Sequence, residues 1–597
     1  MQSSGNVDSM AVAPEVTAPT RGLDRAAGIE LRGDPLMLES WGWSSEPEQC
    51  GPKIAALASL FNLAPPDPVA RVTYQSRGNV LVIAGLQRER ARRAAAELSA
   101  RLQVTLLDTD SASAPGYATW TGTIESLQGF LGDFTATVAG LRTSDGVVAD
   151  GAKPAKFDLV LDFSRQPFFT MRHPPQGYFR APDDDAFLQG TLADLRDAVG
   201  EFEKPRFFGY RESICAHSRS EVQGCNACID ICSTGAISAD GDHVKVDPHL
   251  CMGCGACATV CPSGAMSYQY PRIADRGTQL KQVLSTYRYA GGADAAIVFH
   301  NGVDAPRLLA DAASSGPGLP ARALPLETWH VAAIGLDLLL PAIAFGASQV
   351  VVLCTGTEDT EYVTALREQM AIGQAVLAGL GYEGRHFELL QAADAGALHA
   401  GFAALAPAQG VPVAATFLLG NDKRTAIEFA VEHLMKHAPH KVDEIALPAG
   451  APFGEVRVDR DKCTMCMACV GACPESALMD GVDVPLLKFL ERNCVQCGLC
   501  ENTCPEGAIT LAPRLLLTPA VREARVVNET QPFHCISCQK PFGTKLMVDA
   551  MLGRLAGHSM FAGADALKRL QMCADCRVVD MMASKKEMSI LNLGADS

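Results

Sequence analysis

Twenty of the 22 cysteines in this 597-residue chain fall into five blocks of four, and only Cys50 and Cys354 stand alone. Two blocks share the spacing C-x2-C-x2-C-x3-C-P: Cys463, Cys466, Cys469, Cys473-Pro474, and Cys494, Cys497, Cys500, Cys504-Pro505. Thiolates separated by two residues reach three corners of an iron–sulfur cube from one turn of backbone. The fourth corner is then served from a distant run. The spacing predicts two [4Fe–4S] clusters, one on Cys463, Cys466, Cys469 and Cys504, the other on Cys494, Cys497, Cys500 and Cys473. The proline after each fourth cysteine ends a helical start and removes a competing N–H donor. Centres of this kind move single electrons.

A second pair of blocks lies upstream. Cys251, Cys254, Cys257 and Cys261-Pro262 keep the regular spacing, whereas the other run is Cys215-x9-Cys225-x2-Cys228-x3-Cys232-Ser233. Cys215, Cys225, Cys228 and Cys261 are expected to hold one cluster, and Cys251, Cys254, Cys257 and Cys232 another, because a longer loop returns a ligand at modest closure entropy. The competing reading leaves Cys215 merely buried and its cluster three-coordinate. His217 and Arg219, inside the insertion, read as exposed loop residues, with tuning of the cluster potential through hydrogen bonds as the alternative. The last block, Cys535-x2-Cys538 and Cys573-x2-Cys576, suits one tetrahedral ion, with zinc the first expectation. A fifth iron–sulfur centre and a dithiol pair are the alternatives, and His534 and His558 are neighbouring spares.

So many cysteines could instead make disulfides, but such frameworks belong to small secreted domains. Met1–Arg21 is polar and Pro/Ala-rich with no apolar signal core, which points to a reducing cytoplasm and metal-bound thiolates. The formal charge of −16 argues against nucleic acid as a partner, and redox protein partners are expected to offer basic docking patches. The most apolar stretch, Leu336 to Cys354, contains Asp337, Pro341 and Gly346, so it reads as helix-turn-strand and not as a membrane span.

The elements that must position these residues divide the chain into six parts. Residues 1–70 read as a partly disordered lead-in and 71–200 as an α/β domain, with strands at Asn79–Ala84, Gln103–Asp108 and Phe157–Asp162 and a helix at Gln87–Arg101. Gly85-Leu86-Gln87-Arg88 lacks the glycines that would let a backbone approach a pyrophosphate. Residues 201–275 and 455–515 are the two cysteine modules, and 530–597 is a small four-cysteine unit. Between the modules, 285–445 reads as a doubly wound α/β domain with strands Ala295–His300, Gln349–Cys354 and Val413–Leu419 and a helix at Glu361–Leu380. The fold class is thus multidomain α/β plus α+β. Cys354 ends a strand, where ligands bind in such sheets, yet a lone cysteine there is more often a small buried apolar residue. Each cysteine run is followed by one kind of turn: Ser233-Thr-Gly-Ala-Ile237, Pro262-Ser-Gly-Ala-Met266, Pro474-Glu-Ser-Ala-Leu478 and Pro505-Glu-Gly-Ala-Ile509.

On these motifs, residues 201–275 and 455–515 resemble bacterial-type 2[4Fe–4S] ferredoxins. Ala344-Phe-Gly-Ala-Ser-Gln-Val-Val-Val-Leu-Cys354 with Leu380-Gly-Tyr-Glu-Gly-Arg385 resembles the delta subunit of methyl-viologen-reducing hydrogenase, a family that binds an iron–sulfur centre through several cysteines. Only Cys354 is present here, which implies a docking platform. The whole arrangement is similar to the large polyferredoxins that accompany bacterial formate dehydrogenases. These resemblances imply a relay of electrons through four [4Fe–4S] clusters between a dehydrogenase and another redox partner, with the two modules at opposite ends and the α/β domain docking a partner between them. A reductase with an unrecognised flavin or substrate site and a cluster-stabilised scaffold are the alternatives.

Overall fold

Runs of β-branched and leucine residues without alternation, such as Val350-Val-Val-Leu353, predict strands covered on both faces. The computed structural model, which describes residues 50–109, 116–144, 148, 151–482, 484–561 and 564–583, has two sheets of this kind. In the first α/β unit the strands run in the order Lys153–Phe157, Phe134–Thr143, Ala118–Gln128, Gln103–Leu107, Asn79–Ile83, Leu159–Asp162, Tyr178–Arg180. The last five are mutually parallel and the first two are antiparallel additions. Arg88–Leu98 and Asp185–Asp197 supply Ala91, Ala95, Leu188 and Leu192 to one face. Aromatic residues, Phe134, Phe157, Phe169 and Tyr178, fill the other.

The second α/β unit has four parallel strands in the order Ala323–Thr328, Ala296–Asn301, Gln349–Cys354, Phe387–Gln391. Helices cover both faces, and the larger core includes Leu280, Val283, Phe299, Leu339, Val352 and Ile427. Leu336–Ala344, a turn and Gln349–Cys354 follow one another as expected. Val413–Leu419 is not a strand. Its backbone is held piecemeal, by Ala415 N–H donating to Ala344 O (2.7 Å) and by Lys281 Nζ donating to Thr416 O (2.5 Å) and Phe417 O (3.2 Å). The sheet is instead completed by Ala323–Thr328 and Phe387–Gln391. The lead-in reading of residues 1–70 also changes. Residues 1–49 lie outside those described, but Gly51–Ala58 and Ser59–Asn62 are helical and Ala56 enters the larger core. Lys53 Nζ there faces Leu319 O and Pro320 O at 3.5 and 3.4 Å.

Each cysteine module is a pair of small antiparallel ladders around short helices. In the first, Phe208–Tyr210 pairs with Met266–Tyr268 and Ile237–Asp240 with His243–Val246. In the second, Gly454–Val458 pairs with Ile509–Leu516, and Leu478–Asp480 pairs with Leu486–Phe489, which also pairs with Arg525–Glu529. A C-terminal hairpin, Pro532–His534 with Pro541–Thr544, leads into helices Lys545–Leu555, Ala564–Arg569 and Ala574–Ala583. Among the described residues no helix is long and apolar enough to cross a membrane.

Candidate metal centres

The backbone around each regular run has one shape. The residues flanking the second cysteine are left-handed in all three: Gly253 and Gly255 (φ 84° and 78°), Met465 and Met467 (55° and 62°), and Gln496 and Gly498 (53° and 84°). This double reversal folds the backbone tightly, so the three thiols converge. Methionine and glutamine adopt it only where the surroundings over-determine it. The third residue of each following turn is also left-handed, at Gly235, Gly264, Ser476 and Gly507 (φ 61°, 73°, 51° and 55°). These turns aim N–H groups at sulfur: Met266 to Cys261 Sγ (3.4 Å), Ala477 to Cys473 Sγ (3.2 Å) and Ala508 to Cys504 Sγ (3.3 Å).

The structure brings the cysteines together across runs. Cys463, Cys466, Cys469 and Cys504 line one cavity, Cys473, Cys494, Cys497 and Cys500 a second, and Cys232, Cys251, Cys254 and Cys257 a third. Cys215, Cys225, Cys228 and Cys261 form a fourth group, in which burial and then the charges of Cys261, Cys225 and Cys215 push the Cys228 thiol up to about 12. Burial likewise raises Cys469 and Cys497 to about 12. Four sulfurs crowded and desolvated in this way need a shared cation before they ionise together. The donor set therefore fits a thiolate-bound cluster.

The irregular run reaches the same end by another route. The insertion folds into a hairpin, with Ser218 opposite Gln223 and Arg219 opposite Val222, turning at Ser220 and Glu221 (φ 52° and 68°). Gly224 N–H donates to His217 O (2.7 Å) and Cys225 N–H to Ala216 O (2.8 Å), which sets Cys225 back beside Cys215. His217 is not the exposed loop residue expected. It is 6% exposed, and its Nδ1 lies 3.2 Å from Cys225 O. The absence of proline after Cys232 has a counterpart here too. Ser233 Oγ is hydrogen-bonded to the Tyr362 hydroxyl, which also bonds the Cys254 thiol. Tyr362 packs edge-on against His330 beside Asp359, a buried carboxylate in an ion pair with Arg172 (2.6 Å).

The two modules touch, although some 200 residues separate them in sequence. Asn502 Nδ2 donates to Gln223 O (2.9 Å), and a Cβ on Gly224 would lie 2.5 Å from Leu499. Cys225 follows Gly224 and Cys500 follows Leu499, so this contact joins two of the cysteine groups. A pair of adjacent cations on helix Lys423–Lys436 spans the same junction. Lys423 Nζ donates to Ala258 O (2.8 Å), Thr259 O (2.7 Å) and Cys261 O (3.0 Å) in the first module. Arg424 donates to Pro452 O (2.5 Å), Arg492 O (2.8 Å) and Cys494 O (3.2 Å) in the second. The expected interposition of the α/β domain between the modules is therefore corrected. That domain lies alongside and holds both. Sequence reading missed Tyr362, Lys423 and Arg424, which lie far from any cysteine run and carry no motif.

At the far end, Thr544 Oγ1 donates to Thr464 O and Met465 O (both 3.3 Å), seating the C-terminal unit on the Cys463–Cys466 loop. Its Cys535, Cys538, Cys573 and Cys576 sulfurs all lie within 4.8 Å of one another, with Cys538 and Cys573 at 3.7 Å. Ligands about 2.3 Å from one tetrahedral ion stand close to 3.8 Å apart, so the donor set fits a single ion better than a cube. Burial raises the Cys535 thiol, yet backbone N–H groups of Cys538, Cys573 and Ser537 bring it down to about 6. His534 and His558 are not in this group. Cys354 is fully buried at the end of its strand and lines none of the cysteine cavities described above.

The chain carries ferredoxin-type iron–sulfur modules. Residues 223–265 match the 4Fe-4S dicluster domain, and residues 456–479 and 488–510 match the 4Fe-4S binding domain. The first match begins at Gln223 and so omits Cys215. No curated protein matches the chain.

Proposed function

We propose that the protein relays single electrons through four [4Fe–4S] clusters between a dehydrogenase, with formate dehydrogenase the first candidate on architectural resemblance, and a second redox protein. The observation that carries this reading is the order of the cysteine groups. Cys232/251/254/257 share a module with Cys215/225/228/261, which abut Cys473/494/497/500 through Gly224 and Leu499, which share a module with Cys463/466/469/504. A row of centres without an intervening domain is what one-electron transfer across a molecule requires. The ligands would fix geometry, and burial and N–H bonds to sulfur would set the potentials. Cys535, Cys538, Cys573 and Cys576 would hold one structural Zn2+. Thiolate ligation on this scale suits the reducing cytoplasm.

Anaerobic purification with iron, sulfide and zinc analysis tests the proposal, with about 16 Fe and one Zn per chain expected. About 8 Fe would mean that one module is empty and would overturn the four-cluster row. Redox titration separates a relay from a scaffold, since clusters that cannot be reduced at physiological potentials transmit nothing.

A further inference from the structure

Among the described residues, a roomy cavity is lined by no cysteine. It measures about 420 Å3 and lies between helix Lys423–Lys436 and the end of strand Ile509–Leu516. That size is within the range that takes small organic ligands. Ile427, Val431, Met435, Leu515, Leu517 and Val521 make its walls apolar. The Phe453 ring, with the Arg424 guanidinium stacked 4.4 Å from its centre, gives it one flat side.

Two further features narrow the class of occupant. Three of the four arginines lining the cavity are paired with carboxylates, and the donors of the fourth are spent. Arg492 pairs with Glu428 (2.7 Å), Arg514 with Glu491 (2.8 Å) and Arg522 with Glu432, while Arg424 spends its donors on three backbone carbonyls. A phosphate or carboxylate would find no arginine there with its donors free, so a neutral molecule is favoured. The cavity also shares a wall with a cysteine group. Glu491 and Arg492 line it, Cys494 follows two residues on, and Arg424 bonds both Arg492 O and Cys494 O.

We propose that this cavity binds a neutral quinone, which exchanges electrons with the cluster on Cys473, Cys494, Cys497 and Cys500. The inference rests on the relay reading, since the electrons come from its clusters. Two reduced clusters each give up one electron in succession. The quinone takes these two electrons and two protons from water to become the quinol, and both clusters return to the oxidised state.

Binding and electron transfer are measured separately, on the full anaerobically purified protein. Menadione, a neutral quinone with no tail, is titrated into the oxidised protein by calorimetry, with flavin mononucleotide as the charged comparison. Val431→Trp and, independently, Leu517→Trp fill the cavity, and retained iron shows that each variant is folded. Menadione binding is expected to weaken about tenfold or more, equivalent to about 1.4 kcal/mol, in both variants. Equal binding by wild type and both variants overturns the site, and tighter binding of flavin mononucleotide than of menadione overturns the neutral-quinone assignment. Dithionite-reduced protein mixed with menadione should regain the absorbance of oxidised clusters faster in wild type than in the variants. Reduced clusters that persist in menadione-bound wild type overturn the exchange and leave the binding result standing. Clusters that dithionite cannot reduce contradict the relay itself.

Discussion

Tyr362 shows how a single side chain can act on a centre that its own domain does not contain. Its hydroxyl donates to Cys254 Sγ and receives support from Ser233, the residue that stands where the regular runs have proline. A hydrogen bond to a ligand sulfur stabilises the more negative, reduced cluster and so raises its potential. Burial, the Cys254 charge and that hydrogen bond all hold the tyrosine proton in place, so the group acts as a donor throughout the working pH range. Tyr362→Phe removes the donor and keeps the ring against His330. Potentiometric titration followed by electron paramagnetic resonance should find one cluster lowered by about 20–40 mV, the equivalent of roughly 0.5–1 kcal/mol for one electron, and the others unmoved. Unchanged potentials for all clusters would show that the contact does not tune the centre.

At the scale of the element, helix Lys423–Lys436 ties one module to the other from outside both cysteine runs. Asp422 caps it by accepting from Thr425 N–H (2.9 Å) and also accepts from Arg211 of the first module (2.9 Å). The next two residues then reach opposite ways, Lys423 to the carbonyl of Cys261 and Arg424 to that of Cys494. Lys423→Met keeps the aliphatic stem but strands three buried carbonyls, at a cost of about 1–3 kcal/mol for each left unsatisfied. The variant should lose iron from the first module more readily on dilution, while Lys423→Arg retains more of it. Equal iron retention in Lys423→Met and wild type would sink the clamp. The cysteine groups and their turns were legible because cluster geometry dictates local spacing, and the left-handed positions recur with the repeat. The helix-turn-strand at Leu336–Cys354 was legible because its breakers sit inside an apolar run. Val413–Leu419 was misread because a short apolar stretch has no period of its own, and its backbone partners, Lys281 and Ala344, are distant in sequence. Lys423 and Arg424 were invisible for a similar reason, since a buried cation that caps carbonyls looks in sequence like any solvated one.

Over the whole molecule, the departure that made the first module look defective becomes the joint between modules. The nine residues between Cys215 and Cys225 fold into a hairpin that returns Cys225 to its partners and presents Gln223 and Gly224 to Leu499 and Asn502. A regular run would have no such projection. Gly224 has no room for a side chain, since a Cβ would lie 2.5 Å from Leu499 Cγ and equally close to Ala216 O. Gly224→Ala must therefore push the hairpin away from helix Leu499–Thr503, widening the gap between the Cys225 and Cys497 groups. Asn502→Ala removes the 2.9 Å bond across the same gap without adding bulk, so the two variants weaken one contact by different means. Electron tunnelling falls steeply with separation, whereas cluster binding inside each module does not depend on this contact. Both variants should keep about 16 Fe per chain and unchanged potentials, yet equilibrate electrons between modules more slowly after a flash-generated reductant is supplied. Gly224→Ala should be the slower of the two. Wild-type equilibration rates in both would show that electrons pass between the modules elsewhere, and that the hairpin serves only to fold Cys225 into its site.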